Sequence, residues 1–422
     1  MNIKIFQLAL KSLRFRKLSI SLTIFSLAIS VVLLLGVDII RVQAKEKFAN
    51  TISGTDLIVG SRSGSAQLLL YSVFHLGNAT NNVSWKSYNK IINHPRINWS
   101  IPISLGDSHK GHRVIGTTRD IFQYYRYGKR YKLAFSSGKE FSEMFDTVLG
   151  AEVAKTLNYQ LDDKIILAHG MGNVSFAEHK NLPFTVKGIL KPTGTPIDRS
   201  VLISLKGLEA VHIGWEQGVP SQRPLQTDGL KQDDSRLQIK SITAFLLGLK
   251  NKQDIFTIQR GINNYKSEPL LAIIPGIALL ELWKVVGAIE KVLLIIAALV
   301  LVTGLLSMLA IILTNLNERR REMAVLRSVG ATPKTIFSLM VIESEVLVIL
   351  GILLGLIILY ASLALINPIL FNTYGLNIEL HSPTKFQWLI LLTIIISGLI
   401  AAIFPAISAY RKTLQDGLTI RT

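Results

Sequence analysis

Four long apolar runs constrain this chain more than any other feature. Leu18–Ile40, Val292–Thr314, Ile336–Ile366 and Trp388–Tyr410 each exceed the roughly 20 residues that a helix needs to cross a hydrocarbon layer. Lipid offers backbone amides no partner, so such runs are confined to structures that satisfy their own hydrogen bonds, which here means helices. The expectation is an α-helical membrane protein with four transmembrane helices. The first run carries Asp38 as its only charge and follows Lys4, Lys11, Arg14, Arg16 and Lys17, as a secretory signal would. A signal's apolar region is only about 7–15 residues and ends at a small-residue cleavage site, so this run is read as a retained helix. The third run is long enough to tilt or to project beyond the lipid.

Basic residues in the short flanking segments set the orientation. Lys4 to Lys17, Arg319 to Lys334, and Arg411, Lys412 and Arg421 are dense in positive charge, whereas Asn367 to Gln387 holds only Lys385. Both termini and the middle loop therefore face the cytoplasm, and the long segment 41–282 lies outside. A hydrophobic content of 49% and a mean hydropathy of +0.39 fit a membrane anchor joined to a large outer domain. The net charge of +18 is divided across the bilayer, which excludes nucleic acid as its main partner and leaves lipid headgroups or an anionic envelope polymer. Cysteine is absent, so the outer domain must rely on its core rather than on disulfides.

Segment 1–17 places Ile3, Phe6, Leu10 and Leu13 on one helical face and reads as an amphipathic elbow along the inner membrane surface. Residues 18–40 are the first transmembrane helix, 41–282 an α+β extracytoplasmic domain, and 283–422 a membrane domain with the other three spans. Val37, Ile40, Ala44 and Phe48 continue the first helical phase outward, and Leu279, Leu282, Val286, Ile289 and Leu293 lead back into the second span. These seams predict two stalk helices packed as a coiled pair. Between them, Asp56–Val59, Arg113–Ile115, Lys164–Leu167, Phe184–Ile189, Val201–Ser204 and Ile242–Leu249 read as strands, and Thr147–Leu157 and Gln253–Asn263 as helices. Gly214 to Ser235 reads as a long exposed loop.

No Gly-x-x-x-x-Gly-Lys-Ser/Thr motif occurs, so the chain cannot cradle ATP phosphates in the usual loop. Gly60 and Gly64 have a nucleophile elbow's separation, but Arg62 occupies the central position and the hydrolase reading fails. His109 and His112 have a spacing that could chelate a metal, yet Gly111 and the polar flanks suggest a flexible loop of solvated histidines. Glu343 and Glu345 fall inside the third run, where an unpaired charge costs roughly 2.5–3.5 kcal/mol on insertion scales. They are expected to face protein or water, paired with a basic residue such as Arg327 or with a partner chain; a proton relay is the alternative.

The cytoplasmic loop carries the most specific pattern. Leu316, Met323, Ala324, Leu326 and Val329 supply apolar contacts, and Arg319, Arg320, Arg321 and Arg327 supply charge. Gly330 stands where a helix ends, Thr332 where the next is capped, and Pro333 at its first position. A short helix joined to a span by so tight a corner would transmit force rather than absorb it. An ordinary positive-inside anchor would need only the arginines.

The stretch Glu318 to Ala331, with Glu343, Gly351 and Gly355, resembles the permease family that includes the MacB exporter, the lipoprotein-release permeases and FtsX. The resemblance extends to Ala9–Leu13 before Arg14, Arg16 and Lys17, and to Pro405-Ala406 with Ala409, Arg411 and Leu414. Leu149–Ala154 and Phe184–Leu190 look like the MacB-type periplasmic core, although Asp162-Asp163 stands where the family usually has Gly-Asp. The resemblance implies an FtsX-like permease domain over 283–422 that pairs with a second copy or paralogue. It also implies a separate cytoplasmic ATPase that alone holds ATP and Mg²⁺, so this chain is not itself an enzyme. Glu318, Arg319, Arg320, Arg321, Glu322, Arg327, Gly330 and Pro333 would form the ATPase-coupling element. The implied activity is mechanotransmission that exports or extracts an envelope substrate such as a lipoprotein, peptide or drug, with a periplasmic adaptor or substrate protein as a further partner. The alternatives are an FtsX-like regulator that activates a periplasmic enzyme without transport, and an unpowered membrane-anchored binding protein.

Overall fold

The computed structural model describes residues 17–169, 182–213, 237–318, 325, 328–374, 378 and 380–415. It divides into an outer unit, Lys45–Val285, and a membrane unit made of the residues up to Ala44 and from Val286 onward. The elbow segment, the loop from Gly214 and most of the arginine-rich stretch lie outside the described residues.

The outer unit is organised by one sheet of eleven strands, numbered here within the sheet. They are β1 Leu57–Ser61, β2 Ile97–His109, β3 His112–Thr117, β4 Phe135–Gly138, β5 Asp146–Leu149, β6 Lys164–Ile165, β7 Ala168–His169, β8 Phe184–Leu190, β9 Ser200–Ser204, β10 Ala244–Leu249 and β11 Leu270–Ile273. The path runs β11-β1-β10-β2-β3-β9-β5-β8-β4, with β7 added to β2 and β6 to β8. Pairing is antiparallel except for β3 with β9 and β5 with β8, parallel pairs that require crossover connections. Strands β3, β5 and β10 are buried along their whole length because helices cover both faces, whereas β8 alternates buried Phe184, Val186 and Leu190 with half-buried neighbours.

Two sequence expectations are corrected here. The helix expected over Thr147–Leu157 begins only at Ala151, because Asp146–Leu149 are drawn into the sheet between β9 and β8. The strand expected over Ile242–Leu249 breaks at Thr243, whose hydroxyl accepts the Leu105 N–H while its own N–H goes to Ile103 O. Ser241–Ile242 then pairs with Val83–Ser84 instead of the main sheet.

Gly150 explains the sharp strand-to-helix corner. Its N–H donates to Ser200 O, and a Cβ there would lie 2.2 Å from Ile197 O and 2.4 Å from Asp198 O. Those oxygens belong to a turn fixed by Asp198, whose carboxylate accepts the Thr193 and Gly194 N–H groups and the Thr193 hydroxyl at 2.7–2.9 Å. The Gly150 position is closed by backbone, which cannot rotate aside. Gly150→Ala is therefore expected to destabilise the outer unit by about 1–3 kcal/mol, the usual cost of overpacking. An unfolding temperature of the full chain equal to wild type would contradict that packing.

The membrane unit contains four helices long and apolar enough to cross a bilayer among the described residues. These helices run Lys17–Thr51, Pro275–Glu318, Pro333–Tyr374 and Lys385–Gln415. All four extend past the apolar runs read from the sequence, because backbone hydrogen bonding does not stop where lipid does. Their shared core joins Leu27, Val31 and Leu35 of the first helix to Met340, Leu347, Ile352 and Leu359 of the third. Gly351 and Gly355, four apart, let that contact close: a Cβ on either would sit 2.7 Å from Leu27 Cβ or Val31 Cβ. Small residues at this spacing bring membrane helices together where the hydrophobic effect cannot.

The part of the expected coiled seam within the membrane unit is open at two of its apolar positions, and the Phe48 side chain lies outside the described residues. Ile40 is 53% exposed and Ile289 61%, so the helices are not zipped along their apolar rows. They are joined instead through Arg41, whose Nε lies 2.9 Å from Glu290 Oε1.

Candidate coupling site

The inner corner between the second and third helices is built from a short run of described residues. Val329 N–H and the Ser328 hydroxyl both donate to Val325 O, which closes the last turn before the corner. Gly330 follows at φ +98°, a left-handed backbone that most side chains resist. Thr332 then caps the third helix, its Oγ1 accepting the Thr335 N–H at 3.4 Å, and Pro333 occupies the first helical position.

Glu318 is the last residue of the second helix. Arg319, Arg320, Arg321, Glu322 and Arg327 lie outside the described residues. Val325 and Val329 are four apart on one face, 62% and 83% exposed. The sequence reading missed Val325, although the i, i+4 spacing with Val329 was its signal. Beside the corner, Lys334, Phe337 and Ser338 of the third helix and Ile407 and Tyr410 of the fourth line an open cavity of about 430 Å³. Among the described residues, the corner therefore carries an exposed apolar pair and, on the third and fourth helices, a cavity of mixed lining.

The polar groups of the bundle sit apart from this corner. Glu343 is buried and Glu345 half-buried, with Glu345 Oε1 lacking a hydrogen-bond partner among the described residues. Toward the outer end, Asp38 is 4% exposed and accepts a hydrogen bond from Gln387 Nε2 at 2.9 Å. Gln387 also accepts the Thr384 N–H through Oε1 while Thr384 Oγ1 accepts the Gln387 N–H, a reciprocal capping box that starts the fourth helix. Asp38, Arg41, Glu290 and Gln387 thus tie the first, second and fourth helices together by polar contacts.

In the outer unit the histidine reading is corrected. His109 and His112 are not on a flexible loop but are cross-strand partners in the β2–β3 hairpin, 3% and 8% exposed. Both ring nitrogens of His109 are engaged, Nδ1 with Ile166 O at 2.6 Å and Nε2 with the Tyr159 hydroxyl at 3.0 Å. Gly111 was misread as looseness; with Lys110 at φ +46° and Gly111 at φ +82° it makes a tight turn. Among the described residues no three histidine or acidic side chains gather as a metal site would require.

Burial in apolar surroundings, reinforced by the Arg113 guanidinium, pushes the His75 imidazole down to about 3, and its Nδ1 lies 3.1 Å from the Ser200 hydroxyl. Burial also lowers His109 and His112. His212 goes the other way: burial opposes its charge, but Asp107 Oδ1 at 3.5 Å prevails and raises it. A depressed histidine remains neutral in the fold while the unfolded chain takes up protons below about pH 6.5. Stability should therefore fall with pH through the window from 6.5 toward 3, by on the order of 1–2 kcal/mol at pH 5 from His75. His212 contributes in the opposite sense, stabilising below its unfolded value and losing that effect as pH rises through its folded one. His75→Gln should flatten the acid limb of unfolding temperature against pH in the full chain. An acid limb unchanged from wild type would contradict the assignment.

The MacB-like periplasmic core domain matches residues 20–263, more than half of the chain, and the FtsX-like permease C-terminal domain matches residues 294–414. The chain belongs to the FtsX/MacB-like family of ABC transporter permeases. Among solved structures it is similar to the periplasmic region of MacB from Actinobacillus actinomycetemcomitans, at 8% identity over 54% of this chain and 91% of that one, with a TM-score of 0.33. It is also similar to the extracellular domain of the noncanonic ABC-type transporter YknZ from Gram-positive bacteria, at 11% identity over 52% and 99%, with a TM-score of 0.30. No curated protein matches the chain. Membership makes it a multi-pass transmembrane subunit with an extracytoplasmic domain, and the family implies an ABC ATPase as partner. The family's Gly-Asp turn is met here by Asp162 at φ +67°, its carboxylate 2.5 Å from Lys187 Nζ and its N–H bonded to Val186 O. Aspartate tolerates this backbone better than most residues, so the turn survives without its glycine.

Proposed function

We propose that this chain is the permease subunit of a bacterial inner-membrane ABC transporter of the mechanotransmission type, with both termini and the 319–334 loop cytoplasmic. A separate ATPase binds ATP and Mg²⁺ and closes on the loop; the helices carry that movement to the outer domain, which works on a lipoprotein, peptide or drug in the envelope. Two permease chains, identical or paralogous, complete the complex.

The observation that carries this reading is the second helix, 44 residues without a break from Pro275 to Glu318. Its outer end follows β11 after a single residue, Ile274, and its inner end is the residue before the arginine cluster. A continuous helix of that length measures roughly 66 Å, and on this reading a displacement at one end is passed along it to the other. Supporting the same reading, the sequence contains no Gly-x-x-x-x-Gly-Lys-Ser/Thr motif.

Affinity capture of the full chain from its native membrane, followed by mass spectrometry, tests the proposal. An ABC ATPase recovered in near-equal amount is the expected result. Recovery of a periplasmic hydrolase with no transported molecule would favour the regulator, and recovery of no ATPase would overturn the reading.

A further inference from the structure

The hairpin Arg126–Lys132 in the outer unit is charged in a way that its own fold does not explain. Between Asp120 and Glu140 the chain has Arg126, Lys129, Arg130, Lys132 and Lys139 and no carboxylate. In the hairpin register Arg126 stands directly opposite Lys132, and Tyr127 opposite Tyr131. Like charges facing each other across a strand pair are destabilising. Lys129 and Arg130 at the tip add two more, and Arg130 is held at φ +68°, a backbone that glycine or asparagine would adopt at less cost. Lys129, Arg130 and Lys132 are exposed, with no carboxylate partner among the described residues. Tyr131 is 58% exposed, its ring tilted against Tyr127 at 5.9 Å.

The hairpin's root is tied to the chain as it leaves the first span. The Tyr125 hydroxyl donates to Thr51 O at 2.6 Å, and Ser53 N–H donates to Arg126 O at 3.0 Å. Thr51 is eleven residues beyond Ile40, where the apolar run of that span ends, and belongs to the same continuous helix. Eleven residues of helix advance about 16 Å.

We infer that this hairpin is a lipid-contacting element that binds anionic phospholipid headgroups on the outer face of the membrane. Tyrosine and basic side chains are the groups that settle at a bilayer interface, ring at headgroup level and cation on phosphate. An anionic surface removes the repulsion between Arg126 and Lys132, which an uncharged partner would leave in place. The inference is independent of the coupling proposal, and its test needs no ATPase.

Because the chain contains no cysteine, a single nitroxide label can be placed at Ala134→Cys beside the hairpin, with a reference label at exposed Thr257→Cys. The full chain is reconstituted in nanodiscs of phosphatidylglycerol or of phosphatidylcholine, and access of a water-soluble nickel quencher is measured. Access at position 134 should fall about fivefold or more in phosphatidylglycerol, since each basic residue near an anionic surface contributes roughly a fivefold preference, and should not change at 257. High salt and Lys129→Glu with Arg130→Glu should each restore it; Lys129→Gln with Arg130→Gln, milder for folding, should restore it in part. Equal access in the two lipids, or shielding that survives charge reversal, would overturn the inference. Shielding by a soluble polyphosphate in phosphatidylcholine, without shielding by phosphatidylglycerol alone, would assign the hairpin to a soluble anion and overturn it equally.

Discussion

Reversing the charge of Arg320 and Arg321 together should weaken binding of the cytoplasmic ATPase by about 100-fold while leaving the permease inserted and folded. Both residues sit in the stretch between a helix that ends at Glu318 and the turn at Gly330, so no other part of the chain offers a comparable density of guanidinium groups at that face. Arginine matters here for its planar fork, which grips carboxylates or helix ends with two hydrogen bonds; a lysine would hold one. Turning two such donors into acceptors would replace attraction by repulsion at the proposed contact, in the same loop as the exposed Val325 and Val329. The dissociation constant of the purified pair, measured at low and moderate salt, reads the effect. Lys250→Glu with Lys252→Glu in the outer unit is the control and should change nothing. An unaltered constant in the arginine variant would remove these residues from the coupling element.

Inserting four flexible residues at Ile274 should disconnect the outer domain from the membrane without stopping ATP hydrolysis. Strand β11 ends at Ile273 and the second helix begins at Pro275, while Ile277 and Ala278 donate their N–H groups to Ile274 O. The joint is further braced by Ala278, buried in the outer core, and by a hydrogen bond from the Ser65 hydroxyl to Glu281. A glycine-serine insert of four residues has a root-mean-square span of about 10–12 Å, enough to absorb the displacement a rigid joint would pass on. Hydrolysis by the assembled complex should stay within about twofold of wild type, and nucleotide-dependent hydrogen-exchange protection in the outer sheet should disappear. Protection that still responds to nucleotide would mean that force reaches the domain by another route.

Much of this architecture was legible in the sequence because lipid imposes simple length rules. The four runs from Leu18, Val292, Ile336 and Trp388 stand out by length and polarity alone, and the capping chemistry of Gly330, Thr332 and Pro333 is local enough to read from neighbouring residues. What escaped the sequence is what depends on distant partners. Asp38 looked like an isolated charge in a span, yet its hydrogen-bond partner Gln387 lies 349 residues away. The Thr384-to-Gln387 capping box was written in the sequence, but the apolar run drew the start of the helix to Trp388 instead. His109 and His112 looked solvated because Gly111 suggests a loop; only the sheet reveals that the loop is two residues long and its flanks buried. Strand β5 was taken for helix because a fully buried four-residue strand has no alternation to betray it.

The central claim is that nucleotide hydrolysis by another subunit moves this chain's outer domain. Spin labels at Lys252→Cys in the outer unit and Trp388→Cys at the start of the fourth helix, both exposed, would report it directly in the complex with its ATPase. Between nucleotide-free and ATP-trapped states, the distance distribution should shift by the order of one helical turn, about 5 Å. Identical distributions in the two states, in a preparation that hydrolyses ATP, would contradict the account.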